Sequence, residues 1–514
     1  MFDLYLVCSE DSPSKLGGVI RKQWGLKIVV RWLFGGKRSA LDLALEALDF
    51  FGCGKAAQMM NPTLAYSAFE YLEQKTKPTS SSRFRFCNSL LFLAQGHPFH
   101  KRRSFPVRNI LFLFVSSVAL MAGAAVPPEF TVQLDTISSG FDKKSCWVHP
   151  RAGVIPGPTP IVILTLNKAA IQGSDIFGPI NDIRSDNFGK TWSKPVEHAA
   201  TLGHRAEAAD VMVSVCDFWP KWHVKSGKLL GIGHSVRYQN NKVMPAANRT
   251  RGTVFSVYDP DESTWAAWKT LPMPDEPRFF NSGAGSVQRL DLPDGDILLP
   301  IYFSSKGESR YRVAVMRCGF DGEKLAVKSI GNELAVEIER GLVEPSLTKF
   351  GSLYYMTMRN DQRAYVSTSA DGQHFSEPKA WMWDDGTDLG SYNTQAHWVT
   401  HDDALFLVYT RRGANNDHIP RNRAPLFIGR VDTEKLAVIR DSESELMPQR
   451  GAKLGNFGVT EVNEHETWVT DAEWMQTTGP NYADYAQCMK HGSDNAVFAS
   501  RIQWLKPNTS WNKH

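Results

Sequence analysis

Cysteine is scarce in this chain: seven residues are scattered through 514, with no CxxC pair and no Cys/His grouping at zinc-ligand spacing. That excludes a disulfide-stapled scaffold and a zinc module as the organising device. Cys146, Cys216, Cys318 and Cys488 fall in the part taken below as the folded domain, where one or two bridges are open to them and spacing assigns no pairing. Charge of one sign is scarce as well. A net charge of +4 with 22% charged residues describes an ordinary soluble surface, and implies neither a nucleic acid partner nor electrostatic adhesion to a membrane. Long hydrophobic runs are also missing. The nearest approach, residues 110–121, falls short of the roughly twenty apolar residues that a membrane anchor needs, so no stable anchor is expected.

What surrounds that short run gives it another meaning. Lys101, Arg102, Arg103 and Arg108 precede it, and Ala122, Gly123 and Ala124 follow it. A positive flank, a short apolar core and a small-residue site are the parts of a secretory signal peptide, with cleavage expected near Ala124 and a secreted or periplasmic mature protein. Residues 1–103 carry a basic stretch at 21–38, an Ala/Leu-rich segment over 39–51 of helical composition and a Ser/Lys/Thr-rich patch at 75–83. The economical account is that translation starts near residue 104 and that 1–103 are a non-native or unstructured extension, a true N-terminal extension being the alternative. The expected division is therefore 1–103, a signal peptide over 104–124, and one catalytic domain over 125–514. Such a length is ordinary for a propeller or a barrel.

The domain is organised around residues 344–361, EPSLTKFGSLYYMTMRND. Glu344 opens one apolar strand, a Lys-Phe-Gly-Ser turn follows, and a second strand over 353–358 delivers Arg359, the pattern of a β-hairpin. With both strands beside a central axis, Glu344 and Arg359 would meet at its mouth. A lone hairpin of this kind is ordinarily a surface feature, but this one recurs. Residues 405–411 (LFLVYTR), 297–303 (ILLPIYF), 229–235 (LLGIGHS), 161–167 (IVILTLN) and 468–474 (WVTDAEW) lie on the same frame. Six copies spaced by roughly fifty to seventy residues, each among further short strands, are the signature of an all-β propeller. Six blades are expected, with seven as the alternative.

Between the copies lie polar turns set against an aromatic, residues 185–192 (SDNFGKTW) and 369–375 (SADGQHF). A polar side chain bonds its own backbone there while the aromatic plugs the blade. The turns resemble the Asp-box of the sialidase superfamily, Ser-x-Asp-x-Gly-x-Thr-Trp, with Asn187 where Asp is usual and the second copy one residue shorter. The Glu344 to Arg359 hairpin resembles that of sialidases as well, and the likeness covers about residues 130–505. It implies a six-bladed β-propeller of sialidase type acting on glycans.

The resemblance breaks at two positions. In sialidases an Arg-Ile-Pro motif opens the first blade, and its Arg is one of three that clamp the substrate carboxylate; here Val148 stands there, with His149 before Pro150 and Arg151 after it. The strand that should bring the Tyr nucleophile offers Phe457, and Phe cannot attack. Asp175 falls where the family keeps its acid/base Asp, although a loop Asp is more often a turn former. Arg359 and Arg423 stand where the resemblance puts two of the carboxylate-binding arginines.

Basic groups and histidines are plentiful around the expected mouth. His234 and Arg237 lie beside Trp219 and Trp222, which serve either as a sugar platform or as blade core. Gln395 and His397 precede the fifth hairpin, Arg411 ends it, and Glu473 ends the sixth. A guanidinium fork matches a carboxylate in geometry and charge, so the inventory favours an anionic sugar. Without a Tyr nucleophile, a His can act as general acid or base. This combination resembles the propeller enzymes that remove rhamnose capping glucuronate, as rhamnosidases or as lyases. The catalytic candidates are then His149, His397, Glu344 and Asp175. The substrate-binding candidates are Arg359, Arg423, Arg151, His234, Arg237, Arg411, Gln395 and Glu473. No cofactor and no catalytic metal is expected, a structural calcium being left open. The expected partner is an acidic oligosaccharide or polysaccharide, and the protein is expected to be a monomer. An ordinary exo-sialidase and a non-catalytic glycan-binding propeller are the competing readings, the first opposed by Val148 and Phe457.

Overall fold

A computed structural model of the chain describes residues 2–10, 24–32, 43–44, 129–245, 249–477 and 481–509. It divides into two units, Met1–Gly123 and Ala124–His514. In the first unit Phe2–Glu10 pairs antiparallel with Trp24–Trp32, whose Val29 and Val30 pair with Leu43–Ala44. Strands thus stand within residues 1–103, expected to be a non-native or unstructured extension, and Leu43–Ala44 is a strand inside the segment expected to be helical over 39–51. Helical composition decides little once a neighbouring strand rich in β-branched residues offers an edge to pair with. The expected signal peptide over 104–124 lies outside the described residues.

The strands of the second unit form six sheets. They are antiparallel except where Met382–Trp383 runs parallel to Ala437–Val438. The innermost strands are Ser145–Ile155, Val211–His223, Val343–Phe350, His397–His401 and Gly458–Asn463, and in the third sheet a divided strand, Asn281–Gly283 with Leu290–Asp291. Next to them run Ile161–Ala170, Lys228–Gln239, Asp296–Ser304, Leu353–Arg359, Ala404–Tyr409 and Glu466–Ala472. Each of these falls on one of the six recurring apolar segments. Asp296–Ser304 is buried at every position. A strand covered on both faces reads as a continuous apolar run, which explains why these strands were the legible ones.

Neighbouring sheets are stitched together in order. Thr165 Oγ1 donates to Phe218 O at 3.0 Å between the first and second, and Arg289 to Leu230 O at 2.8 Å between the second and third. Leu347 N donates to Gln288 O at 2.9 Å between the third and fourth, and Trp398 Nε1 to Ser346 O at 2.9 Å between the fourth and fifth. Thr394 Oγ1 donates to Gly455 O at 2.6 Å between the fifth and sixth, and Thr460 Oγ1 to Ala152 O at 2.7 Å returns to the first. The sixth sheet is completed by Phe130–Ser138 pairing with Val497–Trp504, so the two ends of the unit share one sheet. This is the propeller-like arrangement expected from the repeats, a ring that leaves only short, protected edges.

The polar turns are structural, as expected. Gly189 N donates to Ser185 Oγ at 2.8 Å and Gly372 N to Ser369 Oγ at 2.9 Å. Asn187 Oδ1 accepts from Thr191 N at 2.9 Å where Asp371 Oδ1 accepts from His374 N at 2.8 Å, so the amide does in one turn what the carboxylate does in the other. Cys146, Cys216, Cys318 and Cys488 are free and buried, and none of the bridges left open by the sequence forms among the described residues.

One backbone irregularity recurs around the axis. At or just before the innermost strand of each sheet stands a residue with left-handed φ: His149 (58°), Asp217 (53°), Ser286 (57°), Glu344 (47°), Asn393 (53°) and Gly455 (103°). In three of these strands the pairing register shifts at that place, between Val148 and Arg151, Cys216 and Trp219, and Val343 and Ser346. Such bulges bend a strand and re-aim a side chain. Two of the three are followed by proline, Pro150 and Pro345, whose missing N–H is tolerated at a bulge. Left-handed backbone at a non-glycine residue costs on the order of 1–3 kcal/mol and gathers at functional sites.

Candidate active site

Antiparallel pairing brings the end of each second strand beside the start of its innermost strand: Val148 faces Asn167, Cys216 faces His234, Val343 faces Arg359 and His397 faces Val408. The left-handed residues and the loops that follow the second strands therefore gather at one end of the axis. Those loops carry Asp175, Arg249 and Arg251, Tyr311, Asp361, and Arg421 with Arg423.

Asp217 is the hub of one half of this cluster. Its Oδ1 accepts from Ser286 Oγ at 2.6 Å and lies 3.3 Å from the Arg151 guanidinium and 3.4 Å from His149 Nδ1. Its Oδ2 lies 3.4 Å from His234 Nε2, and the other nitrogen of that ring, Nδ1, is 2.9 Å from the Tyr302 hydroxyl. Burial by itself would raise the Asp217 carboxyl, but His149, Arg151, His234 and the Ser286 hydroxyl hold it far below the usual carboxylate range. Burial lowers His149, with Arg151 adding to it and Asp217 opposing. Burial and Arg251 push His234 down to about 3. Both rings are thus neutral bases near neutral pH. The His149 ring packs against Phe177 at 4.9 Å and Trp474 at 5.5 Å, and with Nδ1 toward Asp217 its Nε2 is the nitrogen left for a substrate.

Cys216, Asp217 and His234 each bring a ligand atom within 4.8 Å of the others. These donors fit a metal poorly. Ser286 and Arg151 already engage Asp217, Tyr302 engages His234, and burial pushes the Cys216 thiol well above its ordinary value, away from the thiolate that a metal binds.

Glu344 and Arg359 form the other half and meet as the hairpin reading expected. Arg359 Nη1 donates to both Glu344 oxygens at 2.8 Å, while Nη2 donates to Asp361 Oδ1 at 3.2 Å and Asn393 Oδ1 at 2.6 Å. Arg340 doubles the pairing of Asp361 at 3.0 Å. Arg423 is buried beside them and, among the described residues, donates only to the backbone carbonyl of Asn393. Burial, then Arg359 and Arg421, lower it well below an ordinary guanidinium. Lys453 is buried with its Nζ 4.6 Å from the centre of the Trp474 ring. Burial, with Arg423 and Arg421, brings its amine down to about 7. Asp471, also buried, accepts from Gly455 N at 2.7 Å and Ala472 N at 2.8 Å, and burial raises its carboxyl to about 7.

The residues expected from the sequence divide accordingly. His149, Arg151, His234, Glu344, Arg359 and Arg423 come together. Asp175 is exposed on its loop at φ 55°, close enough for its charge to act on His149, Arg249, Arg421 and Lys453. His397 is buried 4.9 Å from Trp219 and 4.7 Å from Phe457, with Nδ1 2.7 Å from Ser346 Oγ; it belongs to a plug in the axis. Gln395 is buried and neither of its amide atoms has a hydrogen-bond partner. Arg237 is taken up by Glu207 at 2.6 Å and Arg411 by Glu443 at 2.6 Å. Glu473 accepts from Asp494 N at 2.9 Å and Ala496 N at 3.0 Å, holding a loop. Sequence reasoning missed Asp217, Ser286, Tyr302, Arg249, Arg251, Lys453 and Asp471 as site members. Asp217 lies in the bulge next to Cys216, which faces His234, and no spacing in the sequence announced it.

Residues 238–446 match the BNR repeat-like domain. No curated protein matches the chain. Among solved structures it is similar to a protein of unknown function from Dyadobacter fermentans DSM 18053, at 13% identity and a TM-score of 0.50, covering 74% of this chain and 100% of that one. A Hadza microbial sialidase is similar at 13% identity and a TM-score of 0.46, over 70% of this chain and 66% of that one. A point mutant of the NanB sialidase from Streptococcus pneumoniae is similar at 12% identity and a TM-score of 0.48, over 75% and 72%. At such identities a likeness to solved structures is one of fold alone, and the repeat match adds a BNR repeat-like domain over residues 238–446.

Proposed function

We propose that the chain is an exported carbohydrate-active enzyme, a six-bladed propeller that cleaves a terminal sugar at or next to a uronate, and that it does so by elimination. The observation that carries this is His149, a neutral buried imidazole whose Nδ1 lies 3.4 Å from the Asp217 carboxylate that the Arg151 guanidinium also approaches. The neutral Nε2 would take the proton next to the uronate carboxylate. A carbon–carbon double bond then forms as the bond to the neighbouring sugar oxygen breaks, the electron pair leaves on that oxygen, and solvent reprotonates it. Nearby cations favour the charge that builds on the carboxylate.

Asp175 favours a second reading, hydrolysis, because it stands exposed at the rim within electrostatic reach of His149. Glu344 is a poorer nucleophile, since Arg359 engages both of its oxygens. Incubation with oligosaccharides ending in rhamnosyl-glucuronate separates the two. Elimination leaves an unsaturated, ultraviolet-absorbing uronate and hydrolysis a saturated one; release of sialic acid from sialosides with no action on uronates would overturn both. Export is tested by N-terminal sequencing of secreted protein, expected to begin close to Ala125.

A further inference from the structure

We propose that the substrate carries an anionic group on each side of the bond that is cleaved, because two separate sets of cations without acidic partners face each other across the axis. The inference rests on the site being glycan-cleaving, and it names the substrate class more narrowly.

One set is Arg249 and Arg251, in the loop before Thr253–Asp259 of the second sheet. The Arg251 guanidinium lies 5.4 Å from the Tyr302 ring centre and 5.9 Å from that of Tyr311, aromatic faces that hold it in place without neutralising it. The Nε atoms of both arginines are buried with no hydrogen-bond partner, and neither residue has a carboxylate at ion-pair distance among the described residues.

The other set is Arg421, Arg423 and Lys453, from the fifth and sixth sheets. Arg421 sits at φ 63° and likewise lacks an ion pair among the described residues. Among the described residues Arg423 reaches only a backbone carbonyl and Lys453 only the face of Trp474. Crowding and burying like charges lowers the affinity of Arg423 and Lys453 for their protons, so the fold holds these groups against their own repulsion. Cations gathered this way without ion-pair partners mark a place where a ligand supplies counter-charge.

The order of the sheets sets the geometry. The second and third sheets stand across the ring from the fifth and sixth, with His149 of the first sheet and the Glu344–Arg359 pair of the fourth on the two remaining sides. The charge of Asp175 acts on both sets, on Arg249 as on Arg421 and Lys453. A chain lying across the mouth with its reacting bond at His149 thus meets cations on both sides. Carboxylates and sulfate esters share the required chemistry.

The test uses the full chain and three size-matched oligosaccharides: a uronate next to a neutral sugar, a uronate next to a second uronate, and a uronate next to a sulfated sugar. One or both doubly charged glycans should show a kcat/KM higher by about ten- to a hundredfold, the range of one or two charge-assisted hydrogen bonds, and which of them does so identifies the second anion. Arg251→Gln and Arg421→Gln should each bring the ratio of doubly to singly charged toward one, whereas a merely structural loss lowers all three rates together and leaves the ratio intact. Equal cleavage of all three by the wild type would overturn the inference and leave the uronate-cleaving reading standing. Tighter calorimetric binding of a doubly charged glycan, lost in Arg251→Gln, without any turnover would overturn the reading as an enzyme and, with no bond cleaved, the inference with it. Equal or absent binding and no turnover would overturn both.

Discussion

The two ends of the axis are built from the same strands and differ in how they use their polar groups. Every innermost strand starts at the charged cluster and runs to a cavity of about 570 Å³ lined by Lys221, Trp222, Thr348, Lys349, Thr400, Thr460 and Glu461. At that far end hydroxyls hold strands together: Thr348 and Thr400 bond each other at 2.8 Å, and Thr460 bonds Ala152 O at 2.7 Å. At the near end a left-handed residue stands in each of the six sheets, and Arg423 and Lys453 are buried without an ion pair among the described residues. Between the ends lies the plug, where His397 packs on Trp219 and Phe457 and the Gln288 amide exchanges bonds with the Trp398 backbone at 2.8 and 3.0 Å. The far mouth spends polar groups on the fold, and the strained, charge-rich mouth keeps them for a ligand.

The strongest way to break this contrast is to remove the proton-transfer group. His149→Gln should lower kcat by about 10²- to 10⁴-fold, the usual contribution of general acid–base catalysis, while Lys221→Gln at the far end leaves turnover unchanged. Steady-state kinetics on a uronate oligosaccharide checks both, and equal losses would show that the two ends are not distinct in function.

Stability gives the next largest difference. Arg359→Met strands Glu344, while Asp361 keeps Arg340 at 3.0 Å, and the Arg359 and Glu344 side chains are only 5% and 13% exposed. Urea unfolding should show a loss of about 3 kcal/mol, as for other broken buried pairs.

The pH dependence sharpens the picture of stored charge. Lys453 titrates at about 7 in the fold against an ordinary 10.5, so between those values the unfolded chain binds the extra proton and stability rises with pH. Its cost is complete below pH 7, and any advantage of Lys453→Met over wild type should fade as pH rises toward 10.5. Asp471 titrates at about 7 against an ordinary 3.8, so there the folded chain holds the extra proton and stability falls as pH rises from 3.8 to 7. The advantage of Asp471→Asn should accordingly grow across that window. Melting curves of both variants against wild type from pH 4 to 10 read this directly; flat differences would mean that neither group carries buried charge.

The smallest effect should come from the far mouth. Lys349→Met, in the cavity and over the Tyr354 ring at 5.3 Å, is expected to change stability by no more than about 0.5 kcal/mol. A larger loss would place stored charge at both ends.

What the sequence determined by itself was whatever depends on near neighbours in the chain. The second strands, covered on both faces, announced themselves as apolar runs, and the polar turns closed through side chains a few residues away. The Glu344–Arg359 pair was legible because one hairpin joins residues fifteen apart. Pro150 and Pro345 after His149 and Glu344 were a usable sign of bulges, but Phe218 follows Asp217 and leaves no such sign. Tertiary structure decided the rest. Arg151 finds Asp217 across 66 positions and Ser286 across 135, distances over which no spacing rule operates. Arg237 and Arg411 looked like Arg359 at the ends of apolar strands until Glu207 and Glu443, brought in by other segments, took up their charge. His397, with the composition of a catalytic residue, became part of the plug because Trp219 and Phe457 converge on it from two other sheets. A side chain's chemistry is written in its identity, but whether its charge is spent or kept depends on which distant groups the ring of sheets brings against it.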